Sequence, residues 1–216
     1  MIYRFRKGCN YEIHLSKNES HNYKGIAFLD RDGVIIKEKI YIKDPNDVEL
    51  NPGIEKVLKY LNNSNYRIII ITNQSGIARK YFDWNQYLEV TNQMLYLLGN
   101  NIKINSIYAC GAETCEECTW RKPGTGMIEQ SCNDNILKIK NSILIGDKAS
   151  DIEAGIQSNI KNLFHILTGH GEAEKEKVNA LIKSSEYIST NDKNSEKLFY
   201  QLKNLNDILV VLKKII

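Results

Sequence analysis

The sequence predicts an α/β protein with a doubly wound (Rossmann-like), mainly parallel sheet and helices on both faces. Two observations predict this fold. Short apolar, β-branched runs, typical of strands buried on both faces, occur at 26–29, 67–71, 106–109, 142–145 and 162–166. Helical patterns lie between these runs, and alternating strands and helices form βαβ crossovers around a parallel sheet.

Local signals predict where several helices begin. Asn51 precedes Pro52 and is the expected N-cap of a helix whose apolar residues recur at helical spacing over 54–61. Two capping boxes are predicted, at Asp83 with Gln86 and at Ser150 with Glu153. The tail 205–215 is amphipathic, and we expect it to pack against the sheet.

Length and composition favour one globular domain. The chain has 216 residues, a net charge of +3 and interspersed charges, which gives no reason to expect a nucleic-acid or membrane surface. It lacks an apolar run of membrane-spanning length, and its first residues do not resemble a signal peptide, so we expect a cytoplasmic protein. No exposed apolar stripe in the sequence demands a partner, and a monomer is expected. Residues 1–24 have no clear pattern and are interpreted as an extra strand or arm before a single domain at 25–216.

The most informative motif is Asp30-Arg31-Asp32-Gly33, which directly follows the first buried run. Residues two apart on a strand point to the same face, so both carboxylates are expected to enter one site. Two close carboxylates are costly to ionise unless a cation lies between them. A bound Mg²⁺ and an aspartate nucleophile for phosphoryl transfer would fit this pattern. A surface turn and half of a calcium loop are the alternatives.

Two further polar clusters follow predicted strands, and ligands of doubly wound sheets collect at strand carboxyl ends. The segment Thr72–Arg79 carries a hydroxyl, amides and backbone N–H groups that are expected to enter a helix and to suit a phosphate; a routine polar turn is the alternative. Asp147 is a candidate third Mg²⁺ ligand. Asp151 is expected to orient a metal-bound water or to hold Lys148, with simple helix capping as the alternative.

Arg121-Lys122-Pro123 is a pair of cations next to a rigid proline. Such a pair is usually part of a solvated loop. Beside a site with three acids, however, a lysine would neutralise phosphoryl oxygens, and an arginine could bind a second phosphate through its two-pronged guanidinium.

Together these segments resemble the haloacid dehalogenase phosphatase superfamily. Asp30-x-Asp32 is similar to its first motif, Thr72 to its second, Lys122 to its third, and Asp147 with its neighbours to its fourth. Within the superfamily the chain is most similar to D-glycero-D-manno-heptose-1,7-bisphosphate 7-phosphatases, from about residue 26 to the end. The resemblance implies a haloacid dehalogenase fold without a large cap and a small-molecule sugar bisphosphate as substrate.

The resemblance also implies residue roles. Asp30 would attack phosphorus, and Asp32 would protonate the leaving oxygen and then deprotonate the hydrolytic water. Asp30, the main-chain carbonyl of Asp32, and Asp147 would bind Mg²⁺, while Thr72 and Lys122 would steady the phosphoryl group. The implied substrate contacts are Glu38, Lys39, Ile40, Tyr41, Asn73, Gln74, Ser75, Arg121 and Lys148.

Two departures from the family pattern stand out. Lys80 occupies a position that is usually glycine. Many members bind a structural zinc through Cys-x-His and Cys-x-Cys, whereas loop 110–120 has no histidine. Its candidate ligands are Cys110, Cys115 and Cys118. Zinc needs a fourth ligand, for which Cys9, His14, Cys132 or a glutamate are candidates; a reduced, metal-free loop is the alternative.

Three other functions stay open. Histidinol-phosphate phosphatases share the first two motifs and the cysteine loop. Polynucleotide 3′-phosphatases share Thr-Asn-Gln and Arg-Lys-Pro, although they need a basic groove that the mixed charge does not favour. A phosphosugar-binding protein on an inactive fold is the non-enzyme alternative, and the presence of every catalytic acid counts against it.

Overall fold

The computed structural model describes residues 3–15, 23–113, 118–135, 139, 141–188 and 197–216. The strands are β1 (Tyr3–Lys7), β2 (Asn10–His14), β3 (Gly25–Leu29), β4 (Tyr66–Asn73), β5 (Ser106–Cys110), β6 (Ile143–Gly146), β7 (Asn162–Ile166) and β8 (Leu198–Leu202). Over the described residues they form one sheet in the order β1-β2-β5-β4-β3-β6-β7-β8. The strands from β5 to β8 in this order run parallel, and β1 and β2 are antiparallel.

The predicted fold class is confirmed, and each predicted strand is present with boundaries shifted by no more than one or two residues. Strands β3, β5, β6 and β7 are buried along their whole length because helices cover both faces. Strand β8 was not predicted. It lies at the edge of the sheet and is only partly buried, so its sequence carries a weaker apolar signal.

Helices flank the sheet on both sides. They are α1 (Ile54–Asn63), α2 (Trp84–Leu98), α3 (Gly126–Asn135), α4 (Ala149–Gln157), α5 (Gly171–Lys183) and α6 (Leu205–Ile215), with a short 3₁₀ helix at Pro45–Asp47. The apolar side chains of α1, α2 and α6 pack on one face, and those of α3, α4 and α5 pack on the other. The predicted tail helix is confirmed, and it packs against α1 and β8. Among the described residues, no helix combines the length and the apolar character that crossing a membrane requires.

The predicted helix starts are partly confirmed. The capping box at Asp83 is present, because its carboxylate accepts the N–H of Gln86 and its own N–H donates to the Gln86 side chain. The box predicted at Ser150 is wrong. Helix α4 begins at Ala149, and the Asp151 carboxylate accepts the N–H of Lys148 at 3.0 Å.

The N-cap role predicted for Asn51 is also wrong. Helix α1 begins after Gly53, whose φ of 93° is a left-handed conformation that glycine adopts freely. The buried Asn51 amide instead donates to the carbonyl oxygens of Gly33, Val34 and Ile36. These carbonyls follow the first motif and need donors inside the protein, so Asn51 supports the loop next to the site.

The first described residues form a hairpin on the edge of the parallel sheet. Strand β2 pairs antiparallel with β5, which places Asn10 opposite Cys110. The Tyr11 ring packs on Trp84 with 5.0 Å between ring centroids. Cys9, in the turn before β2, thereby reaches the cysteine loop.

Candidate active site

The candidate site lies at the carboxyl edge of β3, β4 and β6. Strands β3 and β6 are neighbours at the middle of the sheet, and from this pair the chain proceeds outward in opposite directions. Such a switch point leaves a crevice for ligands. Asp30 follows β3, Thr72 lies at the end of β4, and Asp147 follows β6. The fold therefore brings together the three segments that the sequence singled out.

Three buried carboxylates converge there. Oxygen atoms of Asp30, Asp147 and Asp151 all lie within 4.8 Å of one another. Burial raises the pKa of Asp30 to about 6, although the nearby Lys122 ammonium offsets part of the effect. Burial, reinforced by Asp30 and Asp151, raises the pKa of Asp147 to about 8. The cluster thus holds more negative charge than its surroundings neutralise.

Lys122 is the cation inside this cluster. Its Nζ donates to Asp30 Oδ1 at 2.9 Å and to the Ile71 carbonyl oxygen at 2.8 Å, and it pairs with Asp151 Oδ1 at 2.5 Å. Burial alone would lower the pKa of Lys122, but the two carboxylates raise it overall, so the amine is charged. The Asp151 carboxylate therefore pairs with the Lys122 ammonium. Its contact with Lys148 is to the backbone N–H and not to the side chain. The Asn73 amide fixes the Lys122 backbone through hydrogen bonds of 2.9 and 3.0 Å.

The carboxylates fit a divalent cation. Asp147 Oδ2 accepts the backbone N–H of His170 at 2.8 Å, whereas Oδ1 is buried without a hydrogen bond. A buried acceptor without a donor is costly, and a cation between Asp30 and Asp147 would satisfy it. Two glycines leave room for the Asp147 carboxylate, since a Cβ on Gly33 or Gly169 would collide with it.

The Asp32 carboxylate lies outside this cluster and faces the neighbouring pocket. The Gln74 amide donates to Asp32 Oδ2 at 2.7 Å and to Thr72 Oγ1 at 2.8 Å. The buried guanidinium of Arg31 also donates to Asp32, through Nη2 at 3.1 Å and Nε at 3.2 Å. Arg31 packs over the Tyr87 ring, 5.0 Å from its centroid. Sequence reasoning assigned Arg31 no role, since an arginine between two motif residues gave no sign of being buried.

A pocket of about 230 Å³ opens beside the carboxylates. It is lined by most of the predicted substrate residues, namely Glu38, Lys39, Ile40, Tyr41, Asn73, Gln74, Ser75 and Lys148. Arg121 lies outside this lining, and its Nη1 donates to the Ala112 carbonyl at 3.0 Å. His170 and Phe82 line the pocket without having been predicted, because both lie outside the recognised motifs.

Backbone conformation explains why Lys80 departs from the family pattern. Lys80 has a φ of 59°, and Tyr41 has a φ of 53°, so both adopt the left-handed conformation. Glycine is the residue that adopts it at least cost, which accounts for glycine being usual at the Lys80 position. The neighbouring Arg79 donates to the Tyr41 hydroxyl at 2.5 Å and pairs with Glu113.

The segment after β4 differs from the sequence prediction of N–H groups entering a helix. It continues as turns, and α2 begins only at Trp84. Gln74 uses its backbone N–H to donate to the Cys110 carbonyl at 2.6 Å. This segment therefore supplies side chains to the pocket from a loop and not from a helix start.

A second cluster lies at the carboxyl end of β5, where Cys110 is paired with Asn73 of β4. Sulfur atoms of Cys9, Cys110 and Cys118 all lie within 4.8 Å of one another. The Cys110–Cys118 distance is 3.3 Å, and the Cys9–Cys118 distance is 3.8 Å. Among the described residues, Cys9 is the suggested additional ligand that lies in this cluster, whereas His14 pairs with Glu12. Cys115 lies outside the described residues.

Comparisons with known proteins show which proteins this chain is similar to. The family model described as polynucleotide kinase 3 phosphatase matches residues 25–201. A D,D-heptose 1,7-bisphosphate phosphatase from B. bronchiseptica, whose crystal structure is described as complexed with magnesium and phosphate, has a similar fold. The TM-score is 0.72 with 21% identity, covering 88% of this chain and 98% of that chain.

Curated relatives are closer in sequence. The D-glycero-alpha-D-manno-heptose-1,7-bisphosphate 7-phosphatase of Photorhabdus laumondii is 41% identical over 71% of this chain and 88% of its own length. The protein of the same description from Campylobacter jejuni is 35% identical over 87% of this chain and 95% of its own length. Identity at this level over most of each relative establishes common descent, and the site geometry agrees with it. The chain is thus a member of the D-glycero-D-manno-heptose-1,7-bisphosphate 7-phosphatase family of haloacid dehalogenase phosphatases.

Proposed function

We propose that the protein is a Mg²⁺-dependent phosphatase that removes the C7 phosphate of D-glycero-D-manno-heptose 1,7-bisphosphate. The observation that carries the proposal is the buried arrangement of Asp30, Lys122 and Asp147 beside a sugar-sized pocket. The curated relatives supply the substrate class. The product would serve nucleotide-activated heptose biosynthesis for bacterial surface polysaccharides such as lipopolysaccharide.

Asp30 is the nucleophile of the proposed reaction. Its carboxylate forms a bond to phosphorus while the bond from phosphorus to the sugar oxygen breaks, and Asp32 gives its proton to that oxygen. Asp32 then takes a proton from water, whose oxygen attacks the aspartyl-phosphate. Inorganic phosphate leaves and Asp30 is restored. In the structure Arg31 and Gln74 hold the Asp32 carboxylate at the pocket wall.

The phosphoryl oxygens need positive charge during both steps. Lys122 supplies one fixed ammonium, which donates to the Ile71 carbonyl of β4, and the next residue of that strand, Thr72, supplies a hydroxyl. Mg²⁺ held by Asp30, Asp147 and the Asp32 carbonyl would supply the remaining positive charge. Fixed charges in a buried site stabilise a transition state more strongly than solvated ones do.

The structure bears on the alternative substrates. A polynucleotide 3′-phosphatase needs free cations along an extended groove. Carboxylates lie beside both pocket lysines, since Lys39 pairs with Glu49 at 3.2 Å and Lys148 lies 3.6 Å from Glu38. This favours a small polar substrate. Histidinol phosphate would offer a single phosphate and an imidazole to the same pocket. A purely phosphosugar-binding role does not require the Lys122 contact to Asp30.

The proposed function can be tested by measuring the rate of phosphate release from four substrates. These are both anomers of the heptose bisphosphate, histidinol phosphate and a 3′-phosphorylated oligonucleotide. The proposal predicts the highest kcat/KM for one heptose bisphosphate anomer, with loss of activity on magnesium chelation. A higher kcat/KM for histidinol phosphate or for the oligonucleotide would refute the proposed substrate. Cytoplasmic location and a monomeric state stay predictions, to be checked by fractionation and by light scattering.

We also propose that the cysteine cluster binds a structural zinc. Thiolates around tetrahedral zinc lie about 3.8 Å apart, given a Zn–S bond of about 2.3 Å. The sulfur atoms of Cys9, Cys110 and Cys118 approach this spacing. The hairpin would then contribute a ligand, Cys9, in addition to those of the predicted loop.

Metal analysis of protein purified without added zinc tests this site. One zinc per chain, lost together on Cys118→Ser and on Cys9→Ser, is expected. Cys115→Ser, in the same assay, shows whether the remaining predicted ligand takes part. Cys132→Ser is the matched control, because this cysteine lies on α3 outside the cluster. Zinc-free native protein would refute the proposal.

A further inference from the structure

A segment that the sequence motifs do not include closes one side of the pocket. Strand β7 ends at Ile166, and the following residues run back toward Asp147. Thr168 Oγ1 donates to the Gly33 carbonyl at 2.7 Å, and the backbone N–H of His170 donates to Asp147 Oδ2 at 2.8 Å. Through one side chain and one backbone N–H, this segment is thus fixed to the residues that follow β3 and β6. The His170 side chain lines the pocket.

The His170 imidazole shares an acceptor with Lys148. Glu38 Oε2 lies 3.5 Å from His170 Nε2 and 3.6 Å from Lys148 Nζ. These distances exceed those of good hydrogen bonds. Glu38 Oε2 is nevertheless buried, and it has no hydrogen-bond partner. A buried carboxylate oxygen facing two donors at this separation is a place for a ligand group that both donates and accepts.

Charge decides which ligand group fits. A phosphate would bring negative charge next to the Glu38 carboxylate, which disfavours it. A hydroxyl can donate to Glu38 Oε2 and accept from Lys148 or His170 at the same time. The three side chains therefore suit a sugar hydroxyl better than the second phosphate.

Lys148 fixes where along the sugar this hydroxyl lies. Lys148 directly follows Asp147 in the chain, and the backbone N–H of His170 donates to Asp147 Oδ2 at 2.8 Å. Both residues that face Glu38 Oε2 are therefore adjacent to the phosphoryl-transfer carboxylates. A leaving group whose phosphate lies at Asp30 would place its nearest hydroxyl beside the Lys148 ammonium.

We propose that His170 is a substrate-binding residue that, with Glu38 and Lys148, binds the hydroxyl next to the phosphate that is removed. In a heptose 7-phosphate this is the C6 hydroxyl, whose configuration the prefix D-glycero denotes. The three side chains would then select the D-glycero sugar over its C6 epimer. The proposal rests on the proposed function.

The test combines two variants with two substrates. His170→Ala removes the donor, and His170→Gln keeps an N–H near the position of Nε2. The substrates are the heptose bisphosphate and its 6-deoxy analogue. On the complete substrate we expect His170→Ala to raise KM about tenfold, as for loss of one hydrogen bond to a ligand, with a smaller change in kcat. His170→Gln should recover most of the affinity. On the 6-deoxy analogue the variants and the native protein should have equal KM.

Glu172→Ala is the matched control, since Glu172 lies on the following helix with 70% of its side chain exposed. It should behave as the native protein on both substrates. Stabilisation by Mg²⁺ should be unchanged in all variants, because residue 170 keeps its backbone N–H. An equal loss on both substrates would show that His170 acts only through Asp147 and would overturn the proposal, as would no loss on either. Failure of the native protein to hydrolyse the bisphosphate refutes the proposed function instead.

Discussion

The carboxylate cluster and the cysteine cluster are both groups of metal-binding side chains, but they are assembled differently. Asp30 and Asp147 each follow a central parallel strand, and both lie at the same edge of the sheet. The cysteines come from the hairpin turn, the end of β5 and the loop beyond it. The first cluster depends on the core of the fold, and the second depends on the docking of an edge hairpin.

We infer from this difference that the carboxylate cluster acts in catalysis and that the cysteine cluster stabilises the structure. The carboxylates are buried, and Lys122 neutralises only part of their charge, so the site is poised to gain a cation. The Cys118 carbonyl accepts the backbone N–H of Arg121, so the cysteine cluster adjoins the loop that carries Lys122. We therefore expect changes in the first cluster to remove activity and changes in the second to act mainly on stability.

The largest effect is expected for Asp30→Asn. The amide cannot form the aspartyl-phosphate, so kcat should fall by at least about 10⁴-fold while the fold persists. Steady-state phosphate release and circular dichroism measure both quantities. Asp44→Asn, on an exposed turn away from the pocket, is the matched control. Near-native activity of Asp30→Asn would show that the nucleophile is another residue.

Lys122→Met should lower both activity and stability. Loss of one fixed positive charge at the transition state is expected to cost about 10²–10³-fold in kcat. Because Asp30 and Asp151 would be left without their buried partner, the free energy of unfolding should fall by about 3–5 kcal/mol. Denaturant unfolding with and without Mg²⁺ measures the second effect. Unchanged stability in the absence of Mg²⁺ would contradict the charge balance described for this site.

A pH effect of intermediate size follows from Asp147. Folding raises the pKa of this acid from its ordinary 3.8 to about 8, so the metal-free folded protein binds more protons than the unfolded chain does. Its free energy of unfolding should therefore fall as pH rises through this range. Mg²⁺ competes with the proton, so its affinity should rise with pH up to about 8.

Calorimetric Mg²⁺ titrations from pH 5.5 to about 8.5 and thermal unfolding of the metal-free protein check both trends. Asp147→Asn should remove most of the pH dependence of unfolding in this range. A Mg²⁺ affinity independent of pH would mean that Asp147 is already ionised before the metal binds.

The smallest effect on activity is expected for Cys9→Ser. The hairpin would lose its link to Cys118, so we expect zinc loss and a midpoint of thermal unfolding lower by several degrees. Because Lys122 is also held by Asn73, kcat with Mg²⁺ should change by less than about threefold. A loss of activity as large as that of Lys122→Met would show that the cysteine cluster does not act mainly on stability.

The contrast between the two clusters also explains which site residues could be predicted from the sequence. Asp30, Thr72 and Asp147 were recognisable because each follows a strongly apolar run and matches a family motif. Cys9 was only one of several candidates, because its contact with Cys118 depends on pairing of strands far apart in sequence. Asn51 shows a further limit, since a residue typical of helix N-caps here satisfies three loop carbonyls that exist only in the folded chain.

The most direct measurement of the central claim is a crystal structure of the protein soaked with Mn²⁺, as an anomalous substitute for Mg²⁺, and a phosphate mimic. The account predicts one cation bound to both Asp30 and Asp147 at about 2.0–2.3 Å, with the mimic between Asp30 and Lys122. Carboxylates that bind no common cation, or a mimic bound away from Asp30, would contradict it.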